Sequence, residues 1–227
     1  MEKYPEIATE RFDNANFHIN YCIKFFKDFL KGNILEVGAG CGSFTKYYNK
    51  TFESVTLTEL DEKNLNDLKA KFKNQKNITI TDKSVDAFEK KFDTIMYLHV
   101  LEHIEDDEAE LKNAIDKLNK NGHLIIMVPA HQSIYSNLDK AVGHHRRYEK
   151  KFFKHDLLGL TRKKFISLDS VGYFLYFLNK IFFKNEVFPS KLKIFLWDKV
   201  FTPFTIFLDF LLMYKLGKCF IAVYKKN

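Results

Sequence analysis

Ile34-Leu35-Glu36-Val37-Gly38-Ala39-Gly40-Cys41-Gly42 is the stretch on which the reading of this chain turns. A short apolar run carrying one acid gives way to glycines at every second position. Ile34 to Val37 read as a buried parallel strand, and Ser43 to Lys50 as the start of a helix. Glycines at such a junction permit positive φ and let backbone N–H groups approach a ligand. A carboxylate here repels a pyrophosphate and suits a ligand with an ammonium group. The spacing also departs from the dinucleotide fingerprint, which places glycine where this chain has Ser43.

Working outward, Ser54 to Leu57 form a second strand, and Glu59 follows about 20 residues past Gly38, where Rossmann-like folds grip ribose hydroxyls. With Asp82 after strand three and Phe92-Asp93-Thr94-Ile95 opening strand four, the order and spacing resemble the class I S-adenosylmethionine (SAM) methyltransferases over residues 30 to 130. The resemblance implies an α/β, Rossmann-like, seven-stranded, mostly parallel sheet whose last strand is antiparallel. It implies SAM as cofactor and S-adenosylhomocysteine as product. It also implies that Glu36 meets the methionine end, Gly38, Gly40 and Gly42 pack on the cofactor, Glu59 holds the ribose, Asp82 the adenine amine, and Leu98 lines the pocket.

The remaining elements alternate. Asn14 to Leu30 read as an amphipathic helix, Asp61 caps a helix from Glu62 to Lys73, and Ile78 to Thr81 are strand three. Thr94 to Leu98 are strand four, a helix from Asp107 ends at Asn121-Gly122, and His123 to Val128 are strand five. Lys150 to Asp156 read as a further helix. Phe165 to Val171 and Cys219 to Tyr224 are the last two strands, and residues 172–217 between them form a mostly helical insertion within a single domain, 1–227. Strands alternating with helices predict a sheet covered on both faces.

Strand four runs into His99-Val-Leu-Glu102-His103-Ile104. On a helical turn His99, Glu102 and His103 share a face, and three readings stay open: a histidine general base, a divalent-metal site, or hydrogen bonds that shape the loop. The Leu-Glu-His-Ile string resembles the ubiquinone-biosynthesis O-methyltransferases. Small-RNA 2′-O-methyltransferases carry a Glu-x-x-Glu-His string completed by a later histidine; here His99 holds the first Glu position, and imidazole suits Zn, Mn or Fe better than Mg. His103 is the candidate base, with His144 and His131 as the alternatives. A metal is not expected, with His99, Glu102, His103 and His144 as the alternative ligand set.

After strand five come His131, Tyr135 and Gly143-His144-His145-Arg146-Arg147-Tyr148. This resembles a bacterial methyltransferase subgroup with a Gly-His-x-Arg-Arg-Tyr signature, often encoded near glycosyltransferases. Arg146 and Arg147 are expected to capture phosphate or carboxylate, with His131, Tyr135 and Tyr148 on the acceptor side.

Charge is uneven. Residues 150–227 hold 15 Lys/Arg against 5 Asp/Glu, and the preceding part holds 21 against 24. The basic, Phe-rich end points to an anionic partner, such as phosphate, nucleic acid or an anionic membrane surface, with solubility alone as the alternative reading. Asp198, Thr202, Thr205 and Asp209 form one narrow polar stripe on a helix that Pro203 kinks or splits. The wide apolar remainder reads as the insertion's own core, a membrane face or a dimer interface. Met1 to Arg11 carry no signal-peptide pattern, and the scattered Cys22, Cys41 and Cys219 fit a reducing compartment. A cytoplasmic protein, at the inner membrane face, is expected.

The sequence-level conclusion is O-methylation of a sugar or a lipid-linked anionic acceptor, with membrane-surface association and no DNA partner. The rivals are an RNA 2′-O-methyltransferase and a non-catalytic SAM-binding partner of a membrane glycosyltransferase complex.

Overall fold

The structure is a computed structural model that describes residues 15–182 and 190–227. Asn14, the Met1 to Arg11 segment and residues 183–189 of the insertion lie outside the described residues.

Eight strands form one sheet in the order β3-β2-β1-β4-β5-β8-β7-β6. These are β1 (Ile34–Val37), β2 (Val55–Thr58), β3 (Ile78–Thr81), β4 (Phe92–Leu98), β5 (Leu118–Pro129), β6 (Asp156–Leu157), β7 (Leu160–Leu168) and β8 (Cys219–Lys226). The first five run parallel, and β8 inserts antiparallel between β5 and β7. The expected seven strands are thus joined by an eighth, the two-residue β6. Leu158 and Gly159, both at positive φ, turn it back onto β7; two positive-φ residues match the right-handed twist of a tight hairpin.

All four residues of β1 are buried, because successive side chains feed opposite cores. Ile34 joins Val55, Leu57, Met96 and Met127 on one face, covered by α1 (Asn16–Ile23) and α2 (Glu62–Phe72). Leu35 and Val37 join Ile95, Tyr97 and Ile126 on the other, covered by α3 (Asp107–Asp116). The chain leaves β1 for β2 on one side and reaches β4 on the other. That reversal is where α/β sheets open a crevice beyond the strands' carboxyl ends.

Several expected boundaries move. The helix expected to run to Leu30 ends at Ile23 and is followed by a 3-10 turn at Lys27–Phe29. Ser43 to Lys50 are two 3-10 turns, Thr45–Tyr47 and Asn49–Thr51. Their β-branched, Asn and aromatic residues have weak helix propensity, and side chains three apart eclipse in a 3-10 turn, which turns Thr45 and Tyr48 onto Glu36 together. α3 stops at Asp116, and Asn121, at φ +63°, lies inside β5 instead of ending the helix. Lys150 to Asp156 hold one 3-10 turn, Lys150–Phe152. Val171 belongs to the helix that begins at Ser170, not to the preceding strand. Asp61 does cap α2, accepting from Asn64 N at 3.0 Å.

Helix α4 (Asn137–Ala141) lies between β5 and β6. The insertion comprises α5 (Ser170–Phe182), α6 (Lys191–Leu196), a π-helical turn (Trp197–Phe201) and α7 (Thr202–Leu211). The kink expected from Pro203 takes the form of that π turn, with Pro203 in the first turn of α7, where its missing N–H is harmless.

The polar stripe points inward. Asp198, Thr202, Thr205 and Asp209 are 0–2 % exposed, whereas Phe204, Phe207 and Phe210 are 64–66 % exposed. Asp209 accepts from the backbone N–H groups of Asp169 and Ser170, both at 2.8 Å, and from Tyr21 OH at 2.9 Å. Asp198 accepts from His18 N at 2.9 Å. Asp209→Ala strands three buried donors, each costing about 1–3 kcal/mol when unsatisfied, so a loss on the order of 3 kcal/mol is expected in urea unfolding. A loss below about 1 kcal/mol would show that these bonds do not hold the insertion in place.

Candidate active site

At the crevice the backbone of Gly38, Gly40 and Gly42 takes φ of +62°, +56° and +72°. Only glycine visits this region without strain. A Cβ on Gly38 would stand 2.8 Å from the Val100 methyls, and on Gly42 2.5 Å from the Phe72 ring. On Gly40 it would meet nothing within 4 Å. Two glycines are thus required by packing, while Gly40 fronts open space.

Glu36 is buried beneath this loop. Thr45 Oγ1 donates to its Oε2 at 2.6 Å, and Tyr48 OH donates to the same oxygen. Burial pushes the Glu36 carboxyl up to about 7, against the two hydroxyls and Lys71, which favour the charged form. Glu59, just past β2, accepts from Gly40 N at 2.8 Å and Asp61 N at 2.9 Å, tying the loop to the second strand. Gly38 N donates to Thr58 Oγ1 at 3.3 Å. Leu98 is buried at the end of β4, and Asp82 is exposed just past β3. The structure therefore brings Glu36, the three glycines and Glu59 together, with Leu98 and Asp82 at the carboxyl ends of neighbouring strands.

The second wall begins with a 3-10 turn at Leu101–His103, entered through His99 at φ +59°. Glu102 is fully buried, yet neither carboxylate oxygen has a hydrogen-bond partner. His99 Nδ1 stands 3.4 Å and His144 Nε2 3.8 Å from its Oε1. Burial works to raise the Glu102 carboxyl, but His99, His144 and His103 outweigh it and hold it below its usual value. His103 Nδ1 lies 3.2 Å from the Gly143 carbonyl, and its ring meets the His144 ring edge to face at 4.7 Å. Burial depresses the His103 pKa despite the nearby Glu102 charge.

The Gly-His-His-Arg-Arg-Tyr segment departs from the expected anion clamp. Arg147 is buried, donating Nε to Asp139 Oδ1 at 2.8 Å and a terminal nitrogen to the Ala130 carbonyl at 3.3 Å, with its guanidinium 4.3 Å over the Tyr176 ring. Arg146 pairs with Asp107 at 3.0 Å and donates to the Glu105 carbonyl at 2.7 Å. Tyr148 is buried and donates to Asp107 at 2.7 Å; Tyr135 donates to the His144 carbonyl at 2.6 Å. His131, at φ +64°, packs against Tyr173 and Phe220. These side chains build and brace the wall, because each finds a protein acceptor or ring within reach.

Asp139, which the sequence motifs above do not include, is the hub of this wall. It receives His144 Nδ1 at 2.8 Å, Arg147 Nε, Ser136 N at 2.9 Å and Tyr176 OH at 3.1 Å. Burial would raise its pKa, but His144 and Arg147 overcome that and lower it to about 2. The detectable signal was a capping box, Ser136 with Asp139 three residues on.

A family model described as a methyltransferase domain matches residues 16–163, and the chain belongs to that family. No curated protein sequence matches it. Among solved structures, the N-methyltransferase NodS from Bradyrhizobium japonicum WM9, in complex with S-adenosyl-L-homocysteine, superposes with a TM-score of 0.62 at 15 % identity, over 96 % of this chain and 91 % of that one. The chain complexed with the Trm112 methyltransferase activator of Haloferax volcanii gives 0.65 at 8 % identity, over 98 % and 95 %. Coclaurine N-methyltransferase, bound to N-methylheliamine and S-adenosyl-L-homocysteine, gives 0.60 at 13 % identity, over 92 % and 72 %. The shared architecture is the Rossmann-like fold of class I SAM-dependent methyltransferases.

The glycine loop yields a ranking. Gly40→Ala is expected to cost only the left-handed backbone penalty of about 1–2 kcal/mol. Gly42→Ala adds overlap with the buried Phe72 ring and should cost clearly more in the same unfolding titration. Equal losses would refute the distinction between packed and open glycines.

Proposed function

We propose that this protein transfers a methyl group from SAM to an oxygen of an anionic sugar or lipid-linked acceptor at a membrane surface. The observation that carries the cofactor half is the open glycine loop: Gly40 has room above it, with Glu36 below and Glu59 beside it. These residues fit a ligand with an ammonium at one end and ribose hydroxyls at the other. When bound, SAM supplies an electrophilic methyl on a sulfonium and leaves as S-adenosylhomocysteine. Glu36 would stabilise the ammonium, Glu59 would accept from the ribose hydroxyls, and Leu98 would keep water from the reacting carbon. Such walls accelerate displacement by alignment and desolvation. A hydroxyl acceptor must also lose its proton, and the wall that carries His103 and His144 would promote that loss.

Calorimetry should find that SAM and S-adenosylhomocysteine bind and NAD does not, that Glu59→Ala loses about 1–3 kcal/mol of binding, and that Gly40→Ala weakens binding while the fold persists. Because the Glu36 carboxyl is raised to about 7, it is neutral below that pH and charged above it. Affinity for the ammonium should therefore rise from about pH 6 to about pH 8, and Glu36→Gln should flatten the rise. NAD binding as tight as SAM, or an unchanged slope in Glu36→Gln, would overturn the assignment.

The membrane half is supported by the inverted polarity of the insertion. Phe195, Phe204, Phe207, Phe210, Leu211 and Met213 are exposed while the polar stripe is buried. Lys191 and Lys193 are exposed beside Leu192 and Phe195. An apolar face edged by lysines fits an anionic bilayer surface. Among the described residues, no helix is long and apolar enough to cross a membrane. The protein should sediment with vesicles containing anionic lipid, less so with neutral ones, and added salt should weaken the binding. The double variant Phe207→Ser, Phe210→Ser should release it with the fold intact. A wild-type protein that ignores both vesicles would rule out this surface.

A further inference from the structure

The facing wall holds a buried carboxylate with no hydrogen-bond partner, which is the costliest kind of group to leave unexplained in a folded protein. Glu102 is 0 % exposed, and both its oxygens are orphaned. Around it, one ligand atom each from Glu102, His103 and His144 lie within 4.8 Å of one another.

The outer contacts orient both imidazoles. Asp139 Oδ1 takes the His144 Nδ1 proton at 2.8 Å, which sets the lone pair on Nε2, the atom 3.8 Å from Glu102 Oε1. The Gly143 carbonyl, 3.2 Å from His103 Nδ1, does the same for the second ring. Carboxylate or carbonyl acceptors behind ligating histidines are how proteins fix the tautomer that binds metal. A tetrahedral ion at about 2.1 Å from its ligands holds them about 3.4 Å apart, a distance side-chain rotation reaches from here.

We propose that Glu102, His103 and His144 bind one divalent first-row transition ion, Zn(II) or Mn(II) in class, through two imidazole nitrogens and one carboxylate oxygen. This donor set disfavours Mg(II) and Ca(II), which take oxygen cages. His99, exposed and 3.4 Å from the carboxylate, is a neighbour of the site outside the ligand set. Three protein ligands leave a position for an incoming oxygen. An acceptor hydroxyl coordinated there would release its proton more readily; this consequence, unlike the site itself, rests on the methyltransferase reading above.

The test uses full-length protein without a histidine tag, stripped with chelator and titrated calorimetrically with Zn(II), Mn(II) and Mg(II). One Zn(II) or Mn(II) per chain and no Mg(II) is the expected result, and the Co(II)-loaded protein should show visible absorption from a low-coordinate site. Glu102→Gln and His103→Asn should each weaken binding by more than about 100-fold, the upper end of what outer partners alone cost, while His99→Ala, which removes only an outer neighbour of Glu102, should cost less than that. Circular dichroism identifies folded variants, and two at separate positions guard against one failing to fold. No stoichiometric ion on the wild type, or affinity unaltered in both folded variants, would overturn the site. SAM titration of the stripped protein reads the other proposal separately: a protein that binds SAM but takes up no ion sinks only this proposal, and one that takes up the ion but does not bind SAM sinks only the methyltransferase reading.

Discussion

Two buried aspartates hold the helical layer to the sheet, and the position of the second wall follows from them. Asp169 follows β7 in a left-handed conformation, φ +66°. Its carboxylate receives Gly172 N, Trp197 Nε1 and Thr205 Oγ1, and pairs with Lys218 at 3.0 Å. Asp209 answers from α7 by accepting the Asp169 and Ser170 N–H groups. Burial opposes charge on both. At Asp169 the Lys218 ammonium and His18 reverse that pressure, whereas Asp209 keeps a raised pKa. Breaking one partner of such a network leaves an uncompensated buried group, which is why it behaves as a single unit.

Anchoring by carboxylates has a geometric consequence for the surface. A helix that spends its polar stripe on interior bonds has only apolar side chains left to turn outward, and α7 does so with Phe204, Phe207 and Phe210. In water this arrangement is costly; against an apolar neighbour it is favourable. The same network carries α5 across the second wall. Tyr176 reaches Asp139, and Tyr173 packs on His131. The face proposed to meet lipid and the wall proposed to meet the acceptor are therefore joined by one helix.

The sequence is most legible where backbone geometry dictates residue type. Glycines at 38, 40 and 42 announce the strand-to-loop turn, and the apolar run of β1 announces burial on both faces. It is less legible where side chains choose among partners. Nothing local says that Thr45 and Tyr48 will turn onto Glu36 and hold the segment in 3-10 turns, because the acid lies nine and twelve residues away. Nor does an i, i+3, i+4 pattern say which way its stripe will point. Asp198, Thr202, Thr205 and Asp209 read identically whether they face water or Asp169; only the tertiary donors decide.

The paired arginines show the same limit in sharper form. Two guanidinium groups in a loop invite an external anion, but Asp139 supplies an internal one, and intramolecular capture carries no cost of bringing a ligand from solution. With Arg147 stacked on Tyr176 and bonded to Asp139, the loop gains rigidity where it carries His144. Asp139 then serves two neighbours with one carboxylate oxygen, Arg147 for position and His144 for tautomer. A rigid, tautomer-fixed imidazole facing a buried Glu102 whose oxygens accept no hydrogen bond is a preorganised arrangement, and preorganised side chains need little rearrangement to bind. The arginine that looked like a contact for substrate thus acts one step back, as part of what aims the wall at the crevice.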